Sequence, residues 1–458
     1  MSLETENPLT AYQWTQQPAA GQLVKELADA LQAALPPARA LAQRMQSETG
    51  TRFTDWIDHI IVPPSDAIRR RLAEAGFTVE PRGGAPDCYV NRGGVFPDVL
   101  LVEGARGISV ALKVESVADV AAALGIDRGI DGAPLAVYRK LIIASAEAGE
   151  LLAVERHGYN GFVVSDANPK LGTMRLHHLE RFRTRRREFE DESEGFTHAR
   201  MLIEAAVADL GRDITCDLFF AAEREFWQRR NEAAQIQKAR QDRLGLGWGN
   251  HDHHTYRSSR EHFAALVAVW ELLGLECRER FYAGKEAGWG AQVMEQPVTR
   301  IITFNDVDLS PQELIGDFSH LGLPPRERGE RLGTVGLWCA LHGDSFLQAG
   351  MHHLEAQFDF DALRDQLEAQ GVKTMKPFTN FAFLRQAFTE GQRWTVREPR
   401  LRRLLERGQL TPEQADEFRA NGAIGSHLEN LERNDGYKGF NQKGVSEIIA
   451  ATDPRKHQ

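Results

Sequence analysis

Apolar residues along this chain recur with two different spacings. Runs spaced about four residues apart predict amphipathic helices, and runs alternating every second residue predict half-buried strands. Leu23, Leu27, Leu31 and Leu35 form the first helical stripe, which Pro36 and Pro37 close. Residues 1–50 therefore read as a helical cover. Beyond them the segment from Phe53 to Pro64 alternates as a strand. SDAIRRRLAEAGF predicts a short helix with Ser65 as its N-cap, Ile68 and Leu72 inward and Gly76 at its stop. FPDVLLVEG and GISVALKVES follow as two strands. Two more strands are expected at LLAVERHGYNGFVVS and TMRLHHLERF. The run RFRTRRREFEDESE, basic and then acidic, has the pattern of a solvated helix or linker. Residues 197–240 read as helical.

The same order of elements returns after residue 247. GNHDHHTYRSS predicts a strand, and EHFAALVAVWELLG a helix with Phe263, Leu266, Val267, Trp270 and Leu273 on one face. CRERFYAG, GAQVMEQP and TRIITFND read as strands. Aligning the two copies sets His59 against His253 and Glu103 against Glu295, an internal repeat. A third unit starts near residue 331. LGTVGLWCALHG reads as an apolar strand, AGMHHLEAQF as another, and DFDALRDQLEAQG as a helix ending at Gly371. TPEQ, from Thr411 to Gln414, is a capping-box signature. GSHLENLERN predicts a strand, and GYKGFNQKGVSEIIAA a turn into a closing helix. The fold class expected is α+β, built of repeated βαβββ modules with helical additions. The divisions are a cover at 1–50, a metal-free module and extension at 51–195 and a helical connector at 196–246. Modules at 247–330 and 331–458 complete the chain.

Composition narrows the functional classes. The 458 residues are 42% hydrophobic and 26% charged, as in a globular protein with a sizeable core. A net charge of −10 argues against a nucleic-acid partner. Cys88, Cys216, Cys277 and Cys339 form no CxxC pair, so a cysteine zinc site or a disulfide framework is not expected. No apolar run is long enough for a membrane span, and the first residues lack the basic and apolar regions of a secretory signal. A cytoplasmic protein, possible as a homo-oligomer, fits these features.

Candidate chemistry lies in the histidines. A catalytic divalent metal needs about three protein ligands on rigid elements, and two imidazoles with one carboxylate form the facial triad of non-haem iron sites. His253 and His353 each sit on the first strand of a module, and Glu429 lies on a late strand of the last. His254, His352 and Glu432 are the neighbours that a one-residue change of register would bring in. His427 shares a face with Glu429 and is a candidate acid/base or a partner that orients a metal ligand. Arg257 lies four residues beyond His253, and a structural ion pair is one reading of it. His59 belongs to a module without a well-placed acid. Glu295 reads as structural; were it at the metal, the site would hold two His and two Glu, the glyoxalase-like pattern. The pair His177 and His178, and His157, read as structural.

The modules resemble the vicinal oxygen chelate superfamily, whose paired βαβββ units bind a metal in a half-barrel. GMHHLEAQFDFDALRDQLEAQGV and HLENLERNDGYKGFN are similar to the second-His and terminal segments of 4-hydroxyphenylpyruvate dioxygenase. HHTYRSSREHFAALVAVWELLGLECRERFYAG resembles the first-His segment of the 2-oxoadipate dioxygenase/decarboxylase (hydroxyglutarate synthase) family. Together these cover roughly the last half of the chain. They depart from the patterns at Leu428, where an aromatic residue precedes the ligand Glu, and at Asn441, where a glycine is usual. The resemblance implies Fe(II) held by His253, His353 and Glu429, with Arg257 on the substrate carboxylate and Phe440 at the substrate. The implied reaction is oxidative decarboxylation of a 2-oxo acid with O2, of the 2-oxoadipate to 2-hydroxyglutarate type. A glyoxalase-type isomerase or lyase, and a non-catalytic binding protein of the same fold, remain the alternatives.

Overall fold

A computed structural model describes residues 14–164, 168–284, 287–441 and 455. Two helices open it, Pro18–Ala34 and Pro36–Thr49. The proline pair both ends the first and starts the second. Leu35 is extended between them, and a proline at the first helical position forfeits no hydrogen bond. Gly50 closes the second helix at φ 65°, and a Cβ there would come within 2.8 Å of the Leu363 Cα. The cover is therefore docked on the last module.

Among the described residues, sixteen strands form two sheets. The first sheet contains β1 (Ile57–Val62), β2 (Thr78–Val79), β3 (Cys88–Val90), β4 (Asp98–Leu101), β5 (Ser109–Lys113), β6 (Tyr138–Ala146) and β7 (Gly149–Arg156). Its order is β2-β3-β4-β1-β5-β7-β6. The second contains β8 (His251–Arg257), β9 (Glu276–Tyr282), β10 (Trp289–Glu295), β11 (Ile302–Asp308), β12 (His353–Gln357), β13 (Thr379–Phe381), β14 (Leu384–Phe388), β15 (Gln392–Trp394) and β16 (Ala423–Arg433). Its order is β13-β14-β16-β12-β8-β11-β10-β9, with β15 added on β16. The fold is α+β, and each sheet curls as a half-barrel of βαβββ-like modules.

The two sheets share one wiring. In the first, β1 runs parallel to β4 and antiparallel to β5, and β5 runs parallel to β7. In the second, β8 runs parallel to β11 and antiparallel to β12, and β12 runs parallel to β16. The first half therefore holds a four-stranded βαβββ unit, β1 to β4, followed by a three-stranded unit, β5 to β7, wired like the start and end of the last module. The wiring also corrects the sequence alignment by one strand: β4 corresponds to β11 and β5 to β12. His59 still falls opposite His253, but Glu103 lies exposed beyond the end of β4 and has no counterpart on β10.

Two expected strands are helices. LGTVGLWCALHG forms the helix Thr334–His342. It is buried all round, with Val335, Trp338 and Cys339 in one core cluster and Leu337 and Leu341 in another, so its sequence shows no helical stripe. TMRLHHLERF lies in the helix Pro169–Arg183, which buries Arg175, His178 and Phe182. Asn168 caps it, accepting from the Leu171 amide at 3.2 Å, and Pro169 sits at its first turn. The strand expected at 151–165 ends at Arg156, and Ser165 lies outside the described residues, as do residues 442–450 of the expected closing helix. The basic run after this helix is solvated only in part, at Arg186. The Arg185 and Arg187 side chains are 1% and 9% exposed, and both pair with Glu223.

Helices Glu192–Leu210 and Arg212–Gln228 cover the outer face of the second sheet, burying Phe219 and Phe220 against Trp270 and Tyr256. The capping box at Thr411 forms: its side chain accepts from the Gln414 amide, and Gln414 accepts from the Thr411 amide at 3.1 Å. Thr411→Ala is expected to lower stability by about 1 kcal/mol, seen as a lower unfolding midpoint by circular dichroism. The four cysteines are free, and only Cys277 is exposed. No helix among the described residues is long and apolar enough to cross a membrane.

Candidate metal centre

Period-two alternation sends His253, Thr255 and Arg257 of β8 into the concave face of the second sheet. His353 and Glu355 of β12 and Glu429 of β16 join them. The register sets Glu355 beside both His253 and Glu429, and His353 beside Thr255. Three strands from two modules thus bring together side chains that are far apart in sequence.

The convergence point is the Glu355 carboxylate. Its Oε1 lies 2.7 Å from His253 Nε2 and 2.6 Å from His353 Nε2, and accepts from Thr255 Oγ1 at 2.8 Å. Glu429 Oε2 is 3.4 Å from His353 Nε2, and Gln386 donates to Glu429 Oε1 at 2.9 Å. All four donors are buried. Burial pushes both imidazoles down, His253 to about 4, so they are neutral at neutral pH. Burial pushes both carboxyls up, and for Glu355 the neighbouring Glu429 adds to it. The buried Glu355 Oε2 has no hydrogen-bond partner. Two carboxylates and two neutral imidazoles with no Lys or Arg among them are a donor set that a divalent cation would compensate.

The outer partners fix the first imidazole. His253 Nδ1 bonds Asp252 Oδ1 at 2.8 Å, which leaves Nε2 for the site. Arg433 clamps Asp252 through two bonds of 2.9 and 3.0 Å. Its other nitrogen donates to the carbonyls of Tyr437 and Gly439, and so draws the GYKGF turn over the sheet. That turn delivers Phe440, whose ring lies 4.9 Å from the His253 ring and 4.8 Å from Phe304.

Arg257 enters the same cavity. Its side chain is 3% exposed, and Nε and Nη1 have no hydrogen-bond partner. The nearest carboxylate oxygen, on Asp306, is 3.7 Å away. Burial lowers the guanidinium and pushes Asp306 up to about 7, so the pair neutralises only weakly. Phe281, Trp289, Phe304, Phe378 and Phe388 make most of the remaining wall apolar, with Thr379 and Asn441 as polar members.

The other candidates lie elsewhere. His254 faces the opposite side, against Phe220 and Arg224. His352 packs on Trp338, and Glu432 pairs with Arg52. Glu295 is held by Arg278 and Lys438, outside the metal-centre cavity. His427 neighbours His353 in register, yet its Nδ1 bonds the Thr389 carbonyl at 2.8 Å and its ring packs on Phe388 and His352. It is not one of the residues that line the cavity. His178 bonds Asp209, and His157 bonds Asp217. Glu355, Asp306, Gln386 and the Asp252–Arg433 clamp were absent from the sequence candidates. A signal for Glu355 existed: it lies two residues after His353 on one strand, and so shares its face.

The first sheet repeats the scaffolding without the donors. His59 Nδ1 bonds Asp58 at 2.6 Å, and Arg156 clamps Asp58 through two bonds of 2.8 Å. Arg156 also donates to the carbonyls of Tyr159 and Gly161, and Phe162 packs 4.9 Å from the His59 ring. RHGYNGF thus does in the first half what RNDGYKGF does in the second. By register, however, Ser109 stands where the second half has His353, Ala111 where it has Glu355, and Leu152 where it has Glu429.

No protein-family model matches this chain, and no curated protein does. Among solved structures, a candidate hydrolase from Shewanella frigidimarina matches with a TM-score of 0.33 at 13% identity, over 50% of this chain and 98% of its own. A 4-hydroxymandelate synthase mutant from Streptomyces coelicolor matches at 0.29 and 12%, over 76% of this chain and 98% of its own. Methylmalonyl-CoA epimerase from Mycobacterium tuberculosis matches at 0.23 and 13%, over 40% of this chain and 88% of its own. At these scores the likeness carries no functional argument, and the assignment rests on the strand order and the side chains of the site.

Proposed function

We propose that this chain is a metalloenzyme of the vicinal oxygen chelate type, a non-haem Fe(II) dioxygenase that oxidatively decarboxylates a 2-oxo acid. The observation that carries the reading is the meeting of His253, His353 and Glu429 in one buried cavity beside the under-bonded Arg257 guanidinium. His253, His353 and Glu429 would hold the ion, with Glu355 as a further oxygen donor beside them. Bound Fe(II) would supply the electrons that activate O2 and a point of chelation for a 2-oxo carboxylate.

The chain's own residues do the rest. Arg257 presents free N–H groups to a second carboxylate of the substrate, a pairing that is strong where water is excluded. Phe304 and Phe440 press on the His253 ring and exclude water there. The Asp252–Arg433 clamp holds the His253 ring in one tautomer. A dicarboxylic 2-oxo acid such as 2-oxoadipate fits this pairing of anion anchor and metal donors; with O2 it would give CO2 and 2-hydroxyglutarate. The test is anaerobic Fe(II) loading, followed by O2 uptake and CO2 release over a panel of 2-oxo acids. No uptake with any of them sinks the dioxygenase reading.

Glu355 favours one second reading. It gives the site two His and two Glu, the donor set expected of a glyoxalase-type isomerase or lyase, although the second Glu is not the Glu295 considered from sequence. Metal-dependent exchange of a substrate proton with D2O, in the absence of O2 uptake, selects that reading. For the dioxygenase, Arg257→Gln is expected to raise KM for the 2-oxo acid roughly 10–100-fold, the cost of a charged hydrogen bond, with iron content unchanged. An unchanged KM removes Arg257 from the substrate.

A further inference from the structure

A second cavity lies apart from the metal centre. It has a volume of about 920 Å³ and lies between the two sheets, where β1, β5 and β7 of the first meet β8 and the β10–β11 turn of the second. Corresponding residues of the two halves face each other across it. Asp58 and Asp252 both line it, as do Lys113 and Gln357, which occupy equivalent places two residues beyond Ala111 and Glu355.

Its wall is full of charge, but the charges are unequally matched. Every lining carboxylate has a basic partner, an arginine, a lysine or, for Asp217, the His157 imidazole. Asp58 pairs with Arg156, Asp98 with Arg82 and Arg300, and Glu155 with Arg139. The remaining acids are likewise held. Three lining cations are not matched in return. Lys113 makes no hydrogen bond or contact ion pair among the described residues, whereas its counterpart Gln357 donates to Asp252 at 2.9 Å. Arg175 bonds only backbone carbonyls, and its buried Nε has no partner. Arg224 is 7% exposed, and its buried Nε is likewise without a hydrogen bond; Glu115 is 3.8 Å away, and Nη1 meets only His254. Burial pushes Lys113 down to about 8; the charge of Asp58 opposes this, and that of Arg224 adds to it. Buried cationic groups left short of acceptors cost free energy that an anion would recover.

We propose that this cavity is a second ligand site that binds a small oxyanion-bearing molecule, a carboxylate or a phosphate, through Lys113, Arg224 and Arg175. The site is separate from the metal donors but shares a wall with them. Asp252 lines the cavity, and its carboxylate holds His253 Nδ1. The proposal stands whichever reaction the metal centre performs.

Calorimetric titration tests it, with inorganic phosphate and with succinate as probes. The proteins are the metal-loaded chain and His353→Ala, which removes anion binding at the metal. The expected result is saturable binding of at least one probe, retained in His353→Ala and weakened roughly tenfold or more in Lys113→Met and Arg224→Met. Which probe binds distinguishes a phosphate site from a carboxylate site. No saturable binding of either probe to His353→Ala overturns the proposal, as does affinity unchanged in both cavity variants. A readout on the unmutated protein guards against misfolded variants. Acetylation of Lys113 by an N-hydroxysuccinimide ester, followed by mass spectrometry, is expected to slow roughly fivefold or more at saturating probe, by occlusion of its amine. Labelling that ignores the probe counts against the site.

Discussion

His353→Ala is expected to leave less than about a tenth of an Fe(II) per chain, and to lower turnover by more than the roughly 100-fold that loss of an outer partner costs. Glu429→Gln should behave in the same way. Both residues lie in the buried cluster with Glu355, where His353 Nε2 is within 3.4 Å of Glu429 and 2.6 Å of Glu355. Asp252→Asn is the graded control. It leaves all four donors in place but replaces the acceptor that orients the His253 ring and receives Arg433. Its metal affinity should fall by roughly 10–100-fold, less than in the donor variants. Metal analysis after gel filtration, alongside O2 uptake, measures both effects. Full metal occupancy in His353→Ala would remove His353 from the donor set.

Glu223→Gln is expected to be the most destabilising single change considered. Glu223 is buried in the helix Arg212–Gln228 and compensates both Arg185 and Arg187, while Tyr256 OH lies 3.5 Å from it. Losing its charge leaves two guanidiniums uncompensated, one of them nearly fully buried, a situation that costs about 3–5 kcal/mol. The apparent melting temperature should fall by roughly 5–15 °C. Tyr256 lies next to Arg257 on β8, so loosening here reaches the strand that carries Arg257 and His253. Replacing Glu225 in the same helix is the comparison. It pairs with Arg183 at 40–44% side-chain exposure, where screening leaves an ion pair little net effect. Equal losses from the two changes would contradict the account of the buried cluster.

The two halves show how one scaffold can carry a site or lack it. Both keep the Asp-His pair, the arginine clamp and the Gly-Tyr-x-Gly-Phe turn, so these residues serve the folding of each half. Only the second half has donors at the three facing positions. The motif was visible in the sequence as RHGYNGF and RNDGYKGF, but its purpose was not. The partner of each arginine is an aspartate about a hundred or more residues earlier, and only strand pairing brings them together.

Local chemistry determined much of this protein before any tertiary contact formed. Alternation assigned the faces of β8, β12 and β16, and so separated His253 from His254, His353 from His352, and Glu429 from Glu432. Cap chemistry marked Ser65, Gly76 and Thr411, because the residues that satisfy a helix end sit within a few positions of it. Where local pattern failed, the surroundings decided. The helix Thr334–His342 is apolar on every side because it is buried on every side, so no period could distinguish it from a strand. Arg185 and Arg187 read as solvated until the helix bearing Glu223 covered them. Glu355 carried a local signal in its spacing from His353, but its place at the centre of the site follows from pairing with β8 on one side and β16 on the other. Strand pairing and inter-sheet contact join residues distant in sequence, and the free energy of such contacts leaves no periodic trace in the chain. The metal cluster and the cavity between the sheets are therefore tertiary properties, while the elements that carry them were already set by the order of the residues.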